Sequence, residues 1–118
     1  MNEGETYEWT GGSGQRYLYN VYSLPISFKI GEFGNYIFAR KNTSGDWIPI
    51  YIGEGDLGRL ISEEHPFYKC IKEKGATHIH IHINASEWAR ISEENDLLES
   101  HLNAFEPYGC NPQRDSLL

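Results

Sequence analysis

Gly34-Asn35-Tyr36-Ile37-Phe38-Ala39-Arg40 and Trp47-Ile48-Pro49-Ile50-Tyr51-Ile52-Gly53, with Asn42-Thr43-Ser44-Gly45-Asp46 between them, decide how this chain folds. Both runs are rich in aromatic and β-branched residues, and a cluster of turn formers separates them. That is the pattern of an antiparallel hairpin. Side chains two apart on a strand share a face. Tyr36 and Phe38 therefore point to one side, and Ile37 and Ala39 to the other. On the second run Tyr51 alternates with Ile50 and Ile52, so the two tyrosines can share a face while the isoleucines pack beneath. Tyrosines on a half-buried sheet face are ordinary in themselves. Pro49 pushes the start of its strand towards a sheet edge.

Towards the N-terminus, Arg16–Leu24 alternates and reads as a further strand ended by Pro25. Ser27–Ile30 suggests a second, shorter one. Met1–Gln15 carries Gly at 4, 11, 12 and 14 without an apolar period, so residues 1–15 read as a flexible leader, mobile or loosely docked, and 16–118 as the domain. Towards the C-terminus, Leu57, Leu60 and Ile61 have helical spacing, with Asp56 suited to cap them. Pro66 opens a second helix with Phe67, Cys70 and Ile71 on its apolar face, and Gly75 closes it. Thr77-His78-Ile79-His80-Ile81-His82-Ile83 alternates strictly, as a strand does. Asn84 or Ser86 then caps a long helix whose stripe is Trp88, Ile91, Asn95, Leu98, Leu102 and Phe105. Pro107 and Gly109 stop it. The expected class is α+β of the α/β sandwich type. A small antiparallel three-stranded central sheet is flanked by helices in the order β-β-α-α-β-α, with an extra N-terminal strand. The stripe of the last helix is expected to cover a sheet face made of Ile37, Ile50, Ile52, Ile79, Ile81 and Ile83.

The 118 residues suffice for one domain with one core. The formal charge of −7 argues against tight non-specific binding to nucleic acid, which depends on neutralising phosphates. It leaves local recognition open, because distribution matters more than the sum. No apolar run approaches the ~18 residues of a membrane span, so no membrane partner is expected. Cys70 and Cys110 are expected as free thiols in a reduced, cytoplasmic setting. No Cys-x-x-Cys pair, nucleophile elbow or phosphate-binding Gly-rich loop occurs.

Several polar residues carry chemical potential. Gly53-Glu54-Gly55-Asp56 feeds the first helix, on which Arg59 lies off the apolar face. An arginine there suits a bidentate phosphate contact, and equally suits a solvated helix surface. His78, His80 and His82 share a strand face but stand ~6.5–7 Å apart, too far for one metal on a straight strand. They either line an exposed sheet face or border a groove shared with Tyr36 and Tyr51. On the last helix, Glu94 and Glu99 sit on opposite borders of the apolar stripe, and helix geometry does not choose between them.

Gly34-Asn35-Tyr36, Tyr51-Ile52-Gly53, Arg59 and the block Glu99-Ser100-His101-Leu102 with Pro107 and Asn111 together resemble the GIY-YIG nuclease family. Asn35 stands where that family usually has Ile. The resemblance spans Gly34 to Asn111. It implies catalytic roles for Tyr36, Tyr51, Arg59, His65, Glu99 and Asn111, with Glu99 holding a single Mg2+ or Mn2+ ion. It implies hydrolysis of phosphodiester bonds in nucleic acid, DNA first, with a tyrosine helping to activate water. It also implies a protein partner that supplies target choice, since the chain has no room for a separate recognition module. The alternative is a domain of the same fold that binds without cleaving.

Overall fold

A computed structural model describes residues 4–113. Five strands form one sheet: β1 (Thr6–Thr10), β2 (Arg16–Ser23), β3 (Phe33–Lys41), β4 (Trp47–Asp56) and β5 (His78–Ile83). Their spatial order is β1-β2-β5-β3-β4, and every neighbouring pair is antiparallel. Three helices complete the described residues: α1 (Leu57–Leu60), α2 (Tyr68–Glu73) and α3 (Glu87–Ser100), with a 3-10 turn at Leu102–Ala104.

This corrects the expected three-stranded sheet. β2 is no appendage: Asn20–Ser23 pairs with β5, and β1 adds a fifth strand by pairing Thr6–Thr10 with Asn20–Arg16. The leader expected over residues 1–15 is thus largely a strand and the turn after it. Trp9 anchors it, buried with its indole N–H donating to Nδ1 of His80 at 2.9 Å. Ser27–Ile30 forms no strand. Residues 114–118 of the expected domain lie outside the described residues.

The β3–β4 hairpin forms around its turn cluster, where Asn42 Oδ1 accepts from the N–H groups of Ser44 and Asp46. A bulge between Phe38 and Ala39 leaves Ile50 on the opposite face from Ile52. Asp56 caps α1 by accepting from Gly58 N–H at 3.0 Å, and Ser86 caps α3 through Ala89 N–H.

The sheet is covered on both faces, so there are two cores. On one side Trp9, Tyr19, Ile37, Ala39 and Ile52 meet Leu97 and Leu98 of α3, with Ala104 and Phe105. On the other, Tyr36, Phe38, Ile50, Ile79 and Ile81 meet Leu57, Ile61 and Ile71. The expected stripe of the last helix is therefore corrected. Trp88 is 79% exposed, and Ile91 and Leu102 are exposed too, while Arg90, Glu93, Leu97 and Leu98 face inward. Ile50, Ile79 and Ile81 lie on the face that α3 does not cover.

Cys70 of α2 and Cys110 form a disulfide. The expected free thiols are replaced, and with them goes the ground for a reducing cytoplasm. Among the described residues no helix is long and apolar enough to cross a membrane.

Candidate active site

Tyr36 pairs across the sheet with Gly53, and Phe38 pairs with Tyr51. Residues directly opposite each other point to the same side, so β3 and β4 present Tyr36, Phe38 and Tyr51 together. Gly53 makes room for them. A Cβ there would lie 2.6 Å from the Tyr36 hydroxyl and 2.8 Å from the Tyr51 ring. The two phenols stack with centroids 6.0 Å apart and planes 21° apart. Phe67 also stacks on Tyr51, at 5.4 Å. His65, from the link between α1 and α2, stands edge-on to both tyrosines.

The hydrogen bonds give this cluster a direction. His65 Nδ1 accepts from Phe67 N–H at 2.9 Å, so the proton of the neutral ring sits on Nε2. Nε2 lies 2.8 Å from the Tyr36 oxygen and donates to it. The Tyr36 and Tyr51 hydroxyls are hydrogen-bonding neighbours. Burial pulls the His65 pKa down to about 4, which keeps the ring neutral near pH 7. Burial first, then the negative charge of Glu94, pushes Tyr51 up to about 12, even though the Tyr36 hydrogen bond works the other way. Tyr36 is held well above the ordinary phenol value, first by burial and next by Tyr51 and Glu94. Both phenols are therefore protonated at neutral pH.

Glu94 is the acid of α3 whose charge acts on both phenols. The helix packs on the opposite face of the sheet, but β4 is an edge strand. Glu94 is half-buried on α3, which packs against β4. Glu99 is placed elsewhere. It is exposed and lines a shallow cup with Ser13, Gln15, Tyr17 and Asp96 at the β1–β2 turn. The structure thus does not bring Glu99 to the tyrosines, and separates the two acids that helix geometry left equivalent.

Arg59 is exposed on α1, with Nε 3.6 Å from Asp56, the cap of its own helix. It stands at the end of β4 without joining the ring cluster. Asn111 is buried and serves the backbone. Its Oδ1 accepts from Ile52 N–H and its Nδ2 donates to Ile52 C=O, both at 2.9 Å. Cys110 N–H bonds Ile50 C=O at 2.7 Å. The segment carrying Asn111 therefore grips β4 on both sides of Tyr51.

The three strand histidines belong to the other face. Their partners are Ala39, Ile37 and Asn35, not the tyrosines. His80 is fully buried, with Trp47 and Trp9 rings against it, and burial lowers its pKa to about 3. His82 Nδ1 donates to Glu93 at 2.9 Å, and Glu93 also accepts from Tyr19 at 2.6 Å. Both the exposed face and the groove expected for these histidines are thereby corrected. His80 and His82 make polar contacts on the α3 side, while His78 meets Thr77 Oγ1 at the surface. Sequence reasoning missed this because a period of two says which residues share a face, not what covers it.

No protein-family model, curated protein or solved structure matches this chain.

Proposed function

We propose that this chain hydrolyses phosphodiester bonds in nucleic acid with a divalent cation, as the GIY-YIG resemblance implies, and that Glu94 rather than Glu99 is its metal-binding carboxylate. The observation that supports this most is the convergence of Tyr36, Tyr51 and His65 in one hydrogen-bonded cluster with the Glu94 charge upon it. Every member is of the residue type the reaction needs.

The donor set suits a hard cation. Glu94 is a half-buried carboxylate whose charge is felt by both phenols, and Mg2+ and Mn2+ take oxygen ligands and retain several waters. When bound there, the ion would supply charge to a phosphoryl oxygen and acidify a water. Its charge would also offset that of Glu94 and ease the upward pressure on Tyr51.

The remaining work falls to the chain. Neutral His65 fixes Tyr36 by donation, and Tyr36 fixes Tyr51. The half-buried Tyr51 then orients the attacking water or a phosphate oxygen through its hydroxyl, without changing its own protonation at rest. Arg59, exposed and always charged, neutralises charge growing on the phosphate. Asn111 holds the strand beneath Tyr51 and acts through it. The overall charge of −7 favours a substrate met locally, at a nick, branch or end, or delivered by a protein partner.

The test is a panel of nicked, branched and single-stranded DNA and RNA with Mg2+ or Mn2+. Wild type should cleave at least one substrate. Glu94→Gln should be inactive, because the amide keeps the volume and loses the charge, while Glu99→Gln stays near wild type. No product from any substrate would favour a non-cleaving binding module of the same fold. Loss in Glu99→Gln with activity in Glu94→Gln would overturn the assignment.

A further inference from the structure

Arg90 is a buried arginine on α3, one turn before Glu94. Its side chain is only 7% exposed. Nε donates to Glu54 Oε1 at 2.9 Å, and one terminal nitrogen donates to the carbonyls of Asn84 and Ala85, both at 3.0 Å. The guanidinium lies 4.8 Å from the Phe33 ring centroid. The backbone joins in: Arg90 C=O accepts from Asn35 Nδ2 at 2.9 Å, and Asn84 Nδ2 donates to Asn35 Oδ1 at 3.3 Å. One residue thus ties α3 to β3, to β4 and to the segment leaving β5. Asn35 is the residue standing where the resembling family has Ile. An Ile could neither hold the Arg90 carbonyl nor accept from Asn84.

We propose that Arg90 is the positioning residue for Glu94: it clamps the first turn of α3 to β3 and β4, and so sets where the carboxylate one turn later is presented. This rests on Glu94 being the metal-binding carboxylate. Residues at i and i+4 lie one above the other on a helix face, so a shift at Arg90 is passed on to Glu94 with little attenuation. Arg90 also pairs with Glu54, the second carboxylate whose charge reaches Tyr36. A planar fork is needed, because Nε serves Glu54 while a terminal nitrogen serves the two carbonyls. Lysine, with one nitrogen on a shorter reach, satisfies only one of these.

The test uses the full chain and terbium, a hard trivalent cation whose luminescence is sensitised by nearby tyrosine. The signal of interest is the part that Glu94→Gln abolishes. Arg90→Lys, and the charge-balanced pair Arg90→Gln with Glu54→Gln, should each bind terbium about tenfold or more weakly, the usual cost of losing a residue that orients a ligand. Their melting curves report the fold separately, and Arg90→Lys covers the case in which the pair does not fold. Terbium affinity within twofold of wild type in folded Arg90→Lys, with Glu94→Gln silent, overturns the proposal and leaves the Glu94 assignment standing. Equal terbium signal in wild type and Glu94→Gln overturns that assignment and the proposal with it.

Discussion

Gly53→Ala adds one methyl group where the two phenols meet. The new Cβ would lie 2.6 Å from Cζ and Oη of Tyr36 and 2.8 Å from Cε1 of Tyr51, whereas ordinary contact begins at 3.4 Å. The Tyr36 ring must therefore retreat by 3.4 − 2.6, about 0.8 Å. It has little room, being 2% exposed with the Phe38 and His65 rings against it. A displacement of that size disturbs the 2.8 Å hydrogen bond to His65, whose geometry tolerates only a few tenths of an ångström. Overpacking of this kind costs ~1–3 kcal/mol. A less flexible unfolded chain offsets ~0.4–1 kcal/mol of it, because Gly53 does not adopt positive φ. The net ~1–2 kcal/mol corresponds to a fall in Tm of roughly 4–8 °C for a chain of this size. Metal-dependent cleavage should fall ~100-fold, the effect of displacing a reacting group by about 1 Å. Circular-dichroism melts and turnover on the best substrate check both. A variant that melts and cleaves like wild type would refute the claim that this glycine makes room for the tyrosine pair.

Leu97→Ala should cost ~2–5 kcal/mol as a core truncation, while Trp88→Ala on the same helix should stay within about 0.5 kcal/mol. Chemical denaturation of both decides which face of α3 is buried, and a larger loss at Trp88 would restore the stripe read from sequence. Stability should fall as pH drops from 6.5 towards 4. His65 and His80 have folded pKa values of about 4 and about 3 against 6.5 unfolded, so only the unfolded chain takes up their protons in that window. Each contributes up to about 1.4 kcal/mol per pH unit. His82 opposes them, since Glu93 raises its pKa and its contribution is present below 6.5 and lost as pH rises through that raised value. Urea midpoints across the range, with His80→Phe expected to flatten the slope, test this, and midpoints that rise on acidification would contradict it.

The hairpin, α1 and β5 were legible because local signals agreed: turn formers at Asn42–Asp46, the Asp56 cap, and strict alternation at His78–Ile83. What stayed hidden depended on partners far along the chain. β1 has little pattern of its own and is a strand because β2 pairs with it and His80 receives Trp9. The α3 stripe misled because its inward face includes Arg90 and Glu93, each satisfied by buried partners, while Trp88 faces water. At the site, the tyrosines and His65 could be named from residue type and order. That Glu99 sits beside the β1–β2 turn, with Ser13, Gln15 and Tyr17, depended on a pairing of β1 with β2 that the helix spacing does not contain.

Asn111 has a consequence beyond the tyrosine it steadies. β4 is the last strand of its sheet, and an uncovered outer rim of amides and carbonyls is a template on which another chain can grow. Here the amide of Asn111 imitates a sixth strand for one residue, giving and receiving one bond with Ile52, while Cys110 occupies Ile50 next to it. The rim is covered there by a side chain that resembles a peptide group and contributes no further rim of its own. The same few atoms that fix the floor of the site thereby cover the middle of this rim, at Ile50 and Ile52, and shorten the stretch on which another strand could pair.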